Sequence, residues 1–243
     1  MKINGKDVAA HNAKQWNVTI GNASISNDST WARGSPVPVL FGNTLGFKSL
    51  KVTLLVKGKN RDDICQNVSD LLAEMLDIVE LELDGFTHHF QGHLAKSTHE
   101  EKAIQRWHKL TLELQVYELG AMMEQKGKFS GIPAASMTVR NAGNIITPMR
   151  IEITPTAGIA SLTISGACPD PETGEDQKII LKNLTTGKTV VLDGETGLAT
   201  EGEKLKSQEA ELWELPAAKP GNTTLTFSTG TLNVTVKMYP RYM

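Results

Sequence analysis

The chain has 243 residues, enough for one large domain or two of ordinary size, and 40% of them are hydrophobic, so a sizeable core can be buried. Formal net charge is only -2, with 25 Lys and Arg scattered among 27 Asp and Glu. A dedicated nucleic-acid grip is therefore not expected, because it needs clustered cations against phosphates. The opening Met1 to Asp7 has no apolar run for a signal peptide, and no stretch approaches the roughly 20 apolar residues of a membrane helix, so neither export nor membrane insertion is expected.

Taken in chain order, the first 45 residues are rich in Asn, Ser, Gly and Pro, and only Trp16 to Ile20 alternates like a strand. Gly21 to Gly46, with Gly34-Ser35-Pro36-Val37-Pro38 inside it, reads as an extended or looped arm, which either meets another subunit or packs on its own domain. Ser49 to Gly58 is a strand with Leu50, Val52, Leu54 and Val56 on one face. Asn60 is an expected N-cap, and Asp62 and Asp63 suit the positive end of a helix dipole. Ile64, Val68, Leu71, Leu72, Met75 and Leu76 then follow at helical spacing, predicting one amphipathic helix from Arg61 to Leu76 laid on a sheet. Val79 to Leu83 alternates and ends at the hairpin signal Asp84-Gly85; Phe86 to Leu94 is the return strand. After a polar break at Ser97 to Lys102, Trp107 to Tyr117 is a long strand, with Leu110, Leu112, Leu114 and Val116 opposite Lys109, Thr111, Glu113 and Gln115.

Composition changes across Gly120 to Lys128, which places an expected boundary there, with domains at 1–128 and 129–243. The second half shows short alternating runs and no convincing helix: Met137 to Val139, Arg150 to Thr154, Ser161 to Ser165, Lys178 to Asn183, Thr189 to Leu192, Leu212 to Leu215, Thr224 to Phe227 and Thr231 to Met238. Runs of that length separated by Gly, Pro, Asn and Asp predict an antiparallel β-sandwich. The fold class is thus mainly β, with one early helix.

No arrangement for chemistry emerges. Lys182 to Thr189 ends in Gly-Lys-Thr like a phosphate-binding loop, but Lys182 stands where the first glycine belongs and a strand follows where a helix must, so it reads as a hairpin turn. His88, His89, His93, His99 and His108 crowd into about twenty residues, yet no Cys or closely spaced carboxylate completes a tetrahedral set, and they read as exposed strand or turn histidines rather than a metal site. Cys65 and Cys168 lie far apart and read as reduced, partly buried thiols. The acidic stretch Asp170 to Asp176 lacks calcium-loop spacing. No nucleophile elbow is present, so no enzyme, catalytic residue, metal or cofactor is expected.

Val56 to Ile64, Glu80 to Phe86 and Arg106 to Glu118 resemble the N-terminal domain of the distal tail proteins of siphophages (the Dit family); Asn183 to Gly197 and Val236 to Tyr242 resemble their second domain. The resemblance covers most of the chain and is vaguest over residues 1–45. It implies a β-rich N-terminal domain with a helix that assembles into a hexameric ring, and a galectin-like β-sandwich on the outside. The implied function is structural: a baseplate hub ring that joins the tail tube protein to the tail-tip hub or lysin protein, offers a scaffold for receptor-binding proteins, and lets DNA pass. It would sit at the virion tail tip after assembly in the bacterial host cytoplasm. Trp31, Trp107, Leu110 and Tyr117 are the expected subunit-interface residues. The galectin-like domain raises one rival, a carbohydrate-binding module. Trp213 and Glu214 are present, but no histidine follows His108, so the His-Asn-Arg strand that galectins use for sugar is missing, and Trp213 is expected in a core or an interface.

Overall fold

The alternation of Leu50, Val52, Leu54 and Val56 against Leu110, Leu112, Leu114 and Val116 becomes the floor of a core in the computed structural model, which describes residues 1–31, 33–101, 106–130, 133–169, 176–212 and 214–243. The chain divides into two compact units, Met1–Leu119 together with Met243, and Gly120–Tyr242. The division falls at the start of the Gly120 to Lys128 segment.

The first unit contains β1 (Lys2–Ile3), β2 (Lys6–Asp7), β3 (Ala13–Thr30), β4 (Val39–Lys57), α1 (Arg61–Ala73), β5 (Val79–Glu82), β6 (His89–Glu100) and β7 (Trp107–Leu119). Their order in the sheet is β2-β1-β5-β6-β7-β4-β3, every pairing antiparallel. Helix α1 starts where expected: the Asn60 side chain accepts from the Asp63 amide at 2.8 Å, satisfying one donor that the first turn leaves open. Ile64, Val68 and Leu71 are buried against the sheet, each worth about 1.5–3 kcal/mol. The helix stops at Ala73, short of the expected Leu76, which is 84% exposed; Met75 alone of that pair is buried. A turn forms at Asp84-Gly85, with Gly85 at φ +86°, but the connection runs from Leu83 to His88 and the return strand begins at His89, not at the expected Phe86.

Two expectations for this unit need correction. Strand β6 does not break at Ser97 but runs on to Glu100, paired with β7 throughout. It does so by a bulge: Leu94 lies opposite Leu114 and Lys96 opposite Glu113, leaving Ala95 as the extra residue. The irregular arm is also strand, since β3 and β4 are 18 and 19 residues long and pair almost to their tips. Among the described residues between the two strands, Arg33 to Pro38 form the turn.

The second unit packs two sheets face to face. One has the order β16-β15-β14-β11-β20-β8, from β8 (Met123–Lys128), β11 (Arg150–Pro155), β14 (Val190–Asp193), β15 (Ala199–Glu201), β16 (Lys204–Leu205) and β20 (Leu232–Met238). The other has the order β17-β13-β12-β19-β9, from β9 (Ala135–Asn141), β12 (Ile159–Pro169), β13 (Asp176–Leu184), β17 (Ala210–Glu211) and β19 (Gly221–Phe227); β10 (Thr147–Pro148) pairs with β18 (Ala217–Ala218). Ile151, Ile153, Val234 and Val236 of the first sheet share one core with Leu162, Ile179, Leu181 and Phe227 of the second. That is the sandwich the alternation predicts. Strand β8 is its edge member, paired with β20, so the segment expected to hold the boundary begins the second unit. The expected run Leu212 to Leu215 is not a strand among its described residues.

Candidate functional site

The long hairpin supplies the first candidate surface. Strand β4 pairs with β7 only from Lys48 to Lys57, whereas β3 and β4 pair with each other out to Thr30 and Val39. Beyond Ala23 and Lys48 the hairpin is therefore a two-stranded ribbon, and β3 ends the sheet order, so among the described residues of the unit its outer edge has no strand beside it. An isolated two-stranded ribbon is marginal in water, and an open edge is a template for another chain. This ribbon also exposes apolar side chains: Trp31 is 66% exposed and Phe41 65%, with Ile25, Val37 and Val39 exposed beside them.

The expected interface residues separate on this geometry. Trp31 lies at the ribbon's end. Trp107 is half-buried at the start of β7, and Tyr117 is half-buried with its ring 4.6 Å from that of Phe47. Leu110 is a correction: it is fully buried in the core beneath α1 and presents nothing to a partner. Strand β7 is flanked by β6 on one edge and, from Trp107 to Val116, by β4 on the other. Strand β3 lies at one end of the sheet order, and most of it falls in the segment expected to be an extended or looped arm.

At the root of the ribbon the sheet buries charge. Lys48 is buried and donates to Glu118 of β7, whose other oxygen lies 2.5 Å from His88 Nδ1. Burial pushes the Glu118 carboxyl up, but the hydrogen bonds and charges of His88 and Lys48 outweigh it and hold it below its ordinary value. Such a carboxylate stabilises the fold in full above about pH 4.5, the ordinary value, and that contribution is lost as pH falls through the lower folded value. Glu118→Gln is expected to cost about 2–3 kcal/mol at pH 7, below the roughly 3–5 of a fully buried pair because the group keeps some solvent contact. Urea melts at pH 7 and at pH 3 should show that gap narrowing in acid; a gap independent of pH would contradict the assignment.

A third group was not visible in the sequence. Among the described residues, ligand atoms of Cys65, His99 and Glu101 all lie within 4.8 Å of one another. Cys65 comes from α1, His99 from β6 and Glu101 from the residue after it. The bulge at Ala95 makes this possible, since it turns His99 onto the helix side, opposite Leu110. Behind it stands His108, which is buried, contrary to its expected exposure, with Nδ1 at 2.8 Å from His99 Nε2. Burial first, and the neighbouring His108 second, push the His99 pKa below its ordinary value, so the ring is uncharged at neutral pH. The two thiols differ: Cys65 is exposed, whereas Cys168 is buried and its pKa is pushed up to about 12, chiefly by that burial.

With this geometry in hand, comparison with known proteins is informative at the level of structure only. No protein-family model and no curated protein matches the sequence. The Dit protein of phage SPP1, described as a paradigm of the hub adsorption apparatus in phages infecting Gram-positive bacteria, matches with a TM-score of 0.74 at 15% identity, over 99% of this chain and 98% of its own. Chains of the phage P2 baseplate in its activated conformation match with TM-scores of 0.52, with calcium, and 0.53, with strontium, at 11% and 10% identity; each match covers 95% of this chain and 92% of the other. The fold is that of the distal tail and baseplate hub proteins.

In this distal-tail fold the remaining sequence candidates fall on turns or outside the described residues. The Gly-Lys-Thr segment forms a turn with Gly187 at φ +75°, and its amide donates to the Pro155 carbonyl. It is not a hairpin turn, because β13 and β14 on its two sides belong to different sheets. Trp213 and Asp170 to Glu175 lie outside the described residues. Among the described residues no helix is long and apolar enough to cross a membrane.

Proposed function

We propose that this chain is a distal tail protein whose role is structural rather than enzymatic. Six copies close into a ring at the virion tail tip, between the tail tube protein and the tail-tip hub or lysin protein, with receptor-binding proteins carried outside and DNA passing through the centre. The observation that carries the reading is a likeness to the SPP1 hub protein that runs through both units, over 99% of the chain, and not through one common domain.

The physics of the first unit supports it. A ring requires two different complementary faces on each subunit, arranged so that the contacts close. The outer edge of β3 is one such face, and strand addition there would satisfy its open backbone groups while burying the apolar ribbon. The sheet face away from α1 carries Lys51 at 3.0 Å from Glu113 and Lys109 at 3.2 Å from Glu100. Charges paired in this way leave little to hold phosphate, which suits a lumen through which DNA slides. The second unit serves as a galectin-like platform. Assembly takes place in the host cytoplasm, before the tail is complete.

Light scattering on the purified chain tests the reading, with a particle of six subunits as the expected mass. A monomer at every concentration, with affinity for host cell-wall polysaccharide, would favour the carbohydrate-binding module instead.

A further inference from the structure

We propose that Cys65, His99 and Glu101 form a binding site for a divalent transition-metal ion, zinc in its commonest form, which staples α1 to the end of strand β6. Three ligands of different type, from a helix, a strand and the residue following that strand, converge within 4.8 Å. Tetrahedral zinc with bonds of about 2.0–2.3 Å sets ligand atoms about 3.3–3.7 Å apart. The ligands therefore need to close by roughly an ångström, and the exposed side chains of Cys65 and Glu101 are free to rotate by that much.

The donor chemistry selects the metal. A thiolate and an imidazole suit zinc and its neighbours, whereas calcium and magnesium take oxygen ligands. Thiolate and carboxylate together also supply the two negative charges that neutralise a divalent cation. The fourth position is left to water.

The surroundings are those a metal-ligating histidine needs. His99 Nε2 is engaged by Nδ1 of the buried His108 at 2.8 Å, which leaves His99 Nδ1 as the coordinating atom. In the bound state Nε2–H donates to His108, fixing the tautomer and the ring plane, as outer partners do for metal-bound imidazoles. His108 is thus a positioning residue. The competing contact is Arg61 Nη2, 2.7 Å from Glu101 Oε2. Arg61 is 72% exposed, and Glu101 has a second oxygen to offer, so the guanidinium need not leave for the ion to enter.

The physical gain is local. Ile64, Val68 and Leu71 hold α1 to the sheet by burial, Asn67 donates to the Lys57 carbonyl, and Arg61 pairs with Glu101; a metal cross-link between helix and strand would add a further restraint.

The test uses the full chain, free of any histidine tag, stripped of metal and kept reduced. Cobalt(II) is titrated in as a spectroscopic stand-in for zinc. The expected result is a thiolate-to-cobalt charge-transfer band that saturates at one equivalent and is abolished by zinc. Cys65→Ser and His99→Ala should each weaken binding by more than about 100-fold, and His108→Gln by about 10- to 100-fold, the range of an outer-partner loss. Zinc should also protect Cys65 from alkylation, a readout that does not depend on cobalt. No band, or one that survives Cys65→Ser, or a Cys65 that alkylates equally fast with and without zinc, would overturn the proposal. Circular dichroism of each variant separates lost ligation from lost folding, and Cys65→Ser, on the surface, is expected to fold normally.

Discussion

Replacing residues 26–44 by Asn-Gly is expected to leave the first unit folded and to abolish self-association. Ile25 lies opposite Leu45, so a two-residue turn can close the shortened hairpin without disturbing its register. The segment removed includes Trp31, Val37, Val39 and Phe41, all exposed, and takes nothing from the buried cluster beneath α1. The stability change should therefore stay within about 1 kcal/mol, as for other surface changes away from a core. Binding is another matter. Aromatic anchors at interfaces each cost about 2 kcal/mol or more when lost, so removing two of them with their aliphatic neighbours should weaken association by at least about a thousandfold. Sedimentation velocity on the two proteins checks this. Equal association would show that the ribbon is not the adhesive element.

The second large effect is expected in the cores. Phe90 and Phe227 are both fully buried, the first in the cluster beneath α1 and the second between the sheets of the sandwich. Each truncation to Ala should cost about 3–5 kcal/mol, from lost transfer energy together with the cavity left behind. Against a domain stability of roughly 5–15 kcal/mol, that lowers a melting midpoint by about 10–20 °C. The two clusters share no residue, so calorimetry should show two transitions. Phe227→Ala should lower one and leave the other in place, with Phe90→Ala doing the converse. A single transition displaced equally by both would mean the two units melt as one.

How much of this could be read in the sequence follows from what each strand buries. Strands β4 and β7 and helix α1 were legible because one face of each meets a core while the other meets water, which imprints a period of two or of 3.6 on the residue types. The ribbon was not legible, because neither of its faces meets a core within the subunit. Its pairing carries no alternation, and Asn, Ser and Gly are tolerated throughout. Strand β8 was missed for a related reason: Met123-Glu124-Gln125-Lys126-Gly127-Lys128 lies at a sheet edge and contributes little to the core. The pairing of β13 and β14 with different sheets is a long-range fact, and no local pattern encodes it.

The metal-type cluster shows how one residue can hide a site. Counted by strict alternation, His99 shares a face with His89 and His93, away from Phe90 and the core. The bulge at Ala95 reverses that parity and sets His99 beside His108 and within reach of Cys65. A one-residue slip carries every later side chain to the other face. Gly92 was a weak signal that β6 is not a regular strand, since a Cβ there would run into the Gln115 carbonyl and Val116 Cα of β7.

The proposed role depends most heavily on self-assembly. Negative-stain imaging of the purified full chain tests this most directly. The predicted image is a closed ring of six subunits around an open centre, which the shortened hairpin fails to form. Single unassembled particles at every concentration, unchanged by shortening the hairpin, would contradict it.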